Sequence, residues 1–341
     1  MITHKQLSLA DIFTDCQNKF DNDKYEFLEL LENTINLDEI VPASFVSHFH
    51  AATGRPRRHL LYPMLKALLL QLIFSIPTTS LLIVFLKYFQ ELRNFCGIDV
   101  VPDASKFTRF KQDFLLDLQS MFDHLVDLTE PICQRINADK AAMVLFDTSG
   151  IEAWVTENNP KYANRIIRQL KAFKKAHNLD DSYDPYKAAY ASMPPHAAAN
   201  PAVQQMYING HFCYAYKFGI VTNGLGIVRD ISFYNKDFLN SHPEIIVGRM
   251  FYLYPEKNLR AYPGALRGTQ EWDATYKIRV NVEKSINHFK DSFCVAGRKT
   301  QNEKTLHADL LLAGIAQLVT VMVADKIHKH KYIHSLKPLI A

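Results

Sequence analysis

The sequence predicts an α/β protein in two parts, an all-helical N-terminal half over residues 1–138 and a mixed α/β half over residues 139–341. Three observations carry this. Through residues 1–138 apolar side chains recur at three- and four-residue steps, the spacing of a helix face. At Ala141 that period stops and a continuous apolar run, Ala141–Phe146, begins, which is how a strand buried on both faces reads. A hairpin follows, with Phe212–Thr222 and Ile227–Tyr234 flanking the turn Asn223-Gly224-Leu225-Gly226.

In chain order, Asp23–Leu37 sets Phe27, Leu30, Leu31 and Ile35 on one helical face, with acids between them. Gly54-Arg55-Pro56-Arg57-Arg58 is a basic loop. A helix is expected from about Pro63 to Ser75, ended by the Pro77-Thr78-Thr79-Ser80 break. The next starts from Thr79 or Ser80 as N-cap, runs to about Phe95 and stops at Gly97. A third is expected over Ala104–Leu118, with Asp103 placed to cap it. Helix, tight turn, then a capped helix carrying Lys106, Arg109 and Lys111 is compatible with a helix-turn-helix unit, so Lys106 and Arg109 are candidate DNA contacts. Residues 160–177 form a basic helix with Lys161, Arg165, Arg168, Lys171 and Lys175 at three- and four-residue steps. Met193–Val203 reads as a loop and residues 235–275 as irregular. Two helices, about 276–290 and 303–328, then precede a tail rich in Lys and His.

The whole chain sets outer bounds. Its 341 residues suffice for two cores. At 48% apolar and 22% charged it has the composition of a folded protein and not of a disordered one. The net charge of +4 is unevenly placed. Residues 1–40 hold three lysines against nine acids, whereas residues 276–341 hold eleven Lys and Arg against five acids, which points to a polyanion partner for the C-terminal half. Five cysteines without a Cys-x-x-Cys pair exclude a zinc ribbon and fit reduced thiols in a cytosol. The N-terminal residues lack the pattern of a signal peptide. Leu60–Ile76 is apolar, but Lys66 and Gln71 interrupt it; a buried helix is expected there, and no membrane partner.

The densest constellation is Tyr276, Arg279, Glu283 and Lys290. At about 100° per residue these fall on one stripe about 60° wide, bordering the apolar stripe of Ile278, Val282, Ile286 and Phe289. A carboxylate at the rim of a core, flanked by Arg and Lys, can hold a divalent cation while the cations touch DNA phosphates. Alone, the same pattern describes a surface ion-pair helix with Arg279 and Glu283 four residues apart. Asp147, expected at the C-terminal end of the buried strand, changes the balance, because catalytic groups of α/β sheets commonly sit there. A strand Asp and a helix Glu converging on a metal pair make an RNase H-like site.

Tyr-x2-Arg-x3-Glu-x6-Lys, here Tyr276, Arg279, Glu283 and Lys290, resembles the signature that closes the catalytic domain of DDE-type insertion-sequence transposases of bacteria. DTSGIEAW (Asp147–Trp154) resembles the family's first-Asp strand, and HFCYAYKFGIVTNGLGIVRDISFYN (His211–Asn235) its second and third strands. GRPRRHLLYPMLKALLLQLIF and FCGIDVVPDASKFTRFKQDF are similar to its N-terminal helical domain, associated with binding the ends of the element. The segment from Gly248 through AGRKTQNEKTLHADLLLAGI resembles the C-terminal part of one subgroup. The resemblance implies Asp147 and Glu283 as catalytic, metal-binding residues for a pair of Mg²⁺ ions. It implies Tyr276, Arg279 and Lys290 as DNA contacts, double-stranded DNA of the terminal inverted repeats as partner, a homo-oligomer, and a bacterial cytoplasmic location on the nucleoid.

One part of the family pattern is missing. Asp147 and Glu283 are 136 residues apart, and 41 residues separate the hairpin end at Asn235 from Tyr276. A parallel strand with its crossover takes roughly 30 residues and the family fold needs two here. The expectation is therefore an incomplete RNase H-like domain, internally deleted with a junction near Val247–Gly248, lacking the second catalytic Asp. Asp230, Asp237 and Asp273 are the available substitutes. Such a chain is expected not to cleave or join DNA. The alternatives are a non-catalytic DNA-binding protein or inhibitor derived from a transposase, and a chain that fails to fold because a lost strand exposes sheet edges.

Overall fold

The computed structural model describes Ser8 and residues 26–50, 57–208, 211–234, 269–298 and 302–340. Asp23, Gly54-Arg55-Pro56, Asp237 and the Val247–Gly248 junction lie outside the described residues.

The first half is helical, as its periodicity predicts: α1 Glu26–Thr34, α2 Leu37–Ile40, α3 Ala43–Phe49, α4 Leu61–Ile73, α5 Thr79–Tyr88, α6 Gln90–Cys96, α7 Ala104–Asp113, α8 Leu115–Ile136 and α9 Ala138–Ala141. Local chemistry sets the boundaries. Thr78, one residue earlier than expected, caps α5 by accepting from the Leu81 amide, and Asp103 caps α7 by accepting from Lys106. Gly97 ends α6 with φ +69°, a conformation that costs a glycine little. Two expected helices are each split by one non-helical residue, at Phe89 and at Phe114. Leu60–Ile76 contains the buried helix α4, where Gln71 Nε2 donates to the Ile76 carbonyl at 3.2 Å and its buried Oε1 has no partner among the described residues.

The second half holds β1 Leu145–Glu152, α10 Pro160–Ala176, α11 Pro185–Ser192, β2 Gln204–Ile208, β3 His211–Thr222, β4 Val228–Tyr234, α12 Gln270–Asn287, a π turn His288–Ser292, and α13 Glu303–Lys326. The sheet is antiparallel throughout and built on β3. β1 pairs along Ala215–Thr222, β2 along His211–Ala215, and β4 along Lys217–Thr222. Its first strand differs from the one expected. Ala141 closes the short helix α9, Val144 is exposed, and β1 begins only at Leu145. Asp147 is therefore the third residue of the strand, not its C-terminal end, and β1 is half-covered, not buried on both faces. The polar stretch Asp147-Thr148-Ser149 continues the strand because the long β3 supplies its backbone partners.

α13 organises the core. It packs against α4, α7 and α8 from the first half and against β4 from the second, and one cluster of buried side chains runs from Phe27 to Leu336. By length and apolarity α13 is able to span a membrane, but 94% of its most apolar window is buried against those neighbours. Its buried polar side chains include Gln317 and Asp309, both partnered, while the buried Nε2 of His307 has no hydrogen-bond partner among the described residues. Gln317 accepts from the Val228 amide at 3.0 Å and donates to the Gly226 carbonyl at 3.3 Å, tying the helix to the hairpin.

Candidate functional site

β1, α12 and the π turn after it carry five of the residues singled out from sequence, Asp147, Tyr276, Arg279, Glu283 and Lys290. The register places Asp147 opposite Ile220 and Ile220 opposite Ile231, so Asp147 and Ser149 share a sheet face with Phe218, Ile220 and Ile231. α12 packs against β1 and β3 on that face. Two hydrogen bonds pin it to the hairpin turn: Asn281 Nδ2 donates to the Gly224 carbonyl at 2.8 Å and Ser285 Oγ to the Gly226 carbonyl at 2.5 Å. Val282, Ile286 and Phe289 are buried beneath the helix, and the polar stripe runs beside them as the spacing predicts.

Arg279 is the hub of the stripe. Its Nη1 lies 3.6 Å from Glu283 Oε1 and donates to Tyr276 Oη at 3.2 Å. The bond to Tyr276 raises the guanidinium pKa, and the Asp147 and Glu283 carboxylates push in the same direction against partial desolvation. Glu283 is the ion-pair partner of this guanidinium, whereas Asp147 on the facing strand acts on it from longer range and accepts from the Thr148 amide at 2.9 Å. Lys290, within the π turn that follows α12, donates to Ser149 Oγ at 3.3 Å, two residues along the strand from Asp147. The arrangement is a pair of carboxylates interleaved with two cations.

Neither described substitute Asp completes it. Asp230 pairs with Val221, which pairs with Phe146, so its side chain is on the opposite sheet face, where it accepts from Ser232 Oγ at 3.0 Å. Asp273, expected in irregular chain, lies inside the first turn of α12, exposed, about 15 Å along the axis from Glu283 at 1.5 Å per residue. Among the described residues no three His, Cys, Asp or Glu side chains lie together as a metal site.

Lys106 and Arg109 belong to a second place. Both are exposed on α7, whose other side buries Phe107, Phe110 and Lys111. With Arg57, Arg58 and His59 they line a cleft of about 630 Å³ whose acids are Asp103 and Asp113. Burial lowers the His59 pKa, and neighbouring Arg58 and Lys106 lower it further against the opposing Asp103, as expected for an imidazole set among cations. The Arg-Arg pair before His59 was the legible signal for this cleft; the role of His59 was not. The basic helix α10 forms as expected and keeps Lys161, Arg165, Arg168, Lys171 and Lys175 exposed.

Residues 14–113 match a family model described as Transposase domain (DUF772). The matched span contains α1–α7 with Lys106 and Arg109, and ends before Asp147. No curated protein and no solved structure matches the chain. The match covers the helical N-terminal part, less than a third of the chain.

Proposed function

We propose that the chain is a DNA-binding protein of DDE-transposase type that has lost strand-transfer chemistry: it holds the ends of its element through cationic side chains and does not cut them. The observation that carries the reading is the packing of α12, with Glu283 3.6 Å from Arg279, against the strand β1 that bears Asp147: the Tyr276–Lys290 signature assigns Glu283 to the third carboxylate, and the resemblance of Asp147–Trp154 assigns Asp147 to the first. The antiparallel order β1–β3–β4, with α12 across β1, agrees with an RNase H-like domain that lacks its later strands. An internal deletion before α12 accounts for both the short spacing and the missing second Asp.

The donor set does not fit the family's pair of Mg²⁺ ions. Hard divalent cations take several oxygen ligands and need charge balance. Here Glu283 pairs with Arg279, Asp147 is on the facing strand, and no third acid joins them among the described residues. No cleavage step is therefore assigned to this centre. What remains is phosphate recognition, which needs no metal. Arg279 and Lys290 act at the carboxylate pair, Lys106 and Arg109 with Arg57 and Arg58 act in the α7 cleft, and α10 adds a basic face.

The test uses purified full-length chain with labelled duplex carrying the inverted repeats that flank its gene, in Mg²⁺ or Mn²⁺. Salt-sensitive retention without nicking or joining is the expected result. Strand cleavage or transfer would overturn the inactive reading, and absence of any DNA retention at low salt would overturn the DNA-binding one.

A further inference from the structure

Arg298 is buried with more donors than its surroundings satisfy. It is 8% exposed, and its Nη1 contacts Asp309, the carboxylate that also takes Lys111 Nζ at 2.7 Å. Two buried cations therefore share one buried anion, and Arg298 Nε and Nη2 have no hydrogen-bond partner among the described residues. Those two atoms form one edge of the guanidinium fork, the edge that grips a phosphate or carboxylate through two parallel bonds. Burying such donors without an acceptor is costly. Arg298 also lines a cleft of about 620 Å³. Trp154, 55% exposed, and Thr156 line it as well, and Asn159 and Pro160 bring the start of the 17-residue helix α10 to it. Asn158 fixes this wall: its Nδ2 donates to the Ala153 and Tyr214 carbonyls at 2.7 Å each, and its Oδ1 accepts from the Tyr214 amide at 2.7 Å. The acid lining the cleft is Glu152, which is exposed, so water screens it better than it screens Arg298.

We propose that this cleft binds a small phosphate ester with a planar aromatic body, a nucleotide, whose phosphate is held by Arg298 and whose ring lies on Trp154. The inference does not rest on the DNA-binding reading above, and the cleft shares none of its lining residues with the stripe of Tyr276, Arg279, Glu283 and Lys290. Three features select this ligand class. The unpartnered edge of Arg298 calls for an oxyanion with two acceptor oxygens. The positive end of the α10 dipole favours a negative group at Asn159 and Pro160, and phosphate is the anion most often met at a helix start. The exposed Trp154 ring offers a face to a flat heterocycle, and the cleft has the volume of an ordinary small-molecule site. Because Arg298 is tied through Asp309 to Lys111, a bound phosphate would also complete the charge balance where α7 meets α13.

The chain has two tryptophans, so a full-length Trp272→Phe protein reports on Trp154 alone. The probes are adenosine 5′-monophosphate, adenosine and inorganic phosphate, each up to millimolar concentration. The monophosphate is expected to quench Trp154 emission saturably and to raise the unfolding midpoint. Inorganic phosphate should displace it, and adenosine should bind at least about tenfold more weakly because it leaves the guanidinium edge unpaired. Arg298→Lys keeps a cation beside Asp309 but has no fork, and is expected to weaken monophosphate binding about tenfold. Displacement by a 5′-phosphorylated oligonucleotide and not by its unphosphorylated twin would support the site with a DNA end as the source of the phosphate; displacement by neither would support it with a free nucleotide. No response to the monophosphate and phosphate would overturn the proposal, as would adenosine binding as tightly as its monophosphate or undiminished binding by Arg298→Lys. The comparison of adenosine with its monophosphate keeps Arg298 intact, so it decides the matter even if Arg298→Lys does not fold.

Discussion

Lys111 Nζ lies 2.7 Å from Asp309 Oδ1 with both side chains almost fully buried, joining α7 of the first half to the central helix α13. Arg298 contacts the same carboxylate. Desolvation lowers the Lys111 pKa and Arg298 lowers it further, whereas Asp309 opposes both. One carboxylate thus serves two buried cations, and Arg298 Nε and Nη2 are left without a hydrogen-bond partner among the described residues. Removing it leaves both uncompensated, so Asp309→Ala is expected to destabilise the chain by about 3–5 kcal/mol, far more than truncating an exposed ion pair. Urea unfolding checks this; a loss below about 1 kcal/mol would mean that the cluster is solvated in the folded chain.

Acid should unfold the protein through its histidines. Burial lowers the pKa of His288 to about 4, with His334 and Lys337 adding to the shift, and lowers that of His307 to about 4 by burial alone. Both values lie below the ordinary 6.5, so the unfolded chain binds more protons than the folded one between pH 6.5 and 4. Stability falls as pH drops through that window, by about 3 kcal/mol for each histidine before solvent relaxation reduces it. His307 stacks on Phe233 with ring centroids 5.1 Å apart, and His307→Gln should flatten the slope measured by thermal melts between pH 7 and 4. An unchanged slope in that variant would assign the acid sensitivity elsewhere.

The cationic residues should differ from the carboxylates in how they change DNA affinity. Neutralising a phosphate contact weakens binding to all sequences alike and reduces the salt slope by about one. Arg109→Gln and Lys290→Met are expected to do this one contact at a time. Glu283→Gln should leave the slope within experimental error or strengthen binding, because it frees Arg279 from a half-exposed partner 3.6 Å away. Filter binding from 50 to 300 mM salt separates these outcomes. A Glu283→Gln protein with weakened binding would mean that the carboxylate orients Arg279 on the DNA.

How much of this was legible depended on whether a feature is local. Asp103 as a cap, Gly97 as a stop and the stripe of Tyr276, Arg279 and Glu283 each follow from residues within about two turns, and each is found in place, whereas the helix expected to carry Lys290 ends at Asn287 and leaves that lysine in the π turn. The β1 boundary was not local. Ala141–Phe146 is apolar enough to be a strand, but Asn137 caps a helix through Ala141, and the length of β3 decides that Asp147-Thr148-Ser149 pairs instead. The short strand β2 escaped because its pairing lies with β3 and its own five residues carry no clear alternation. The Lys290–Ser149 bond and the placement of Asp230 on the far face depend on register, which spacing along one strand does not define.

The crossing of α13 over α8 is set by a missing side chain. A Cβ on Gly314 would lie 2.6 Å from the Phe122 ring and 2.9 Å from Ile231 Cδ1, both inside van der Waals contact. Phe122 is fully buried and Ile231 belongs to β4, so neither moves without shifting the helix or the sheet. Higher helix propensity favours alanine by about 1 kcal/mol, but overpacking a filled core costs about 1–3 kcal/mol. Gly314→Ala is therefore expected to lower the unfolding midpoint, and pairing it with Phe122→Leu should recover part of the loss by opening space beside the new methyl group. If Gly314→Ala instead raises the midpoint, α13 and α8 are farther apart than this packing requires, and the close seam between the two halves of the chain is wrong.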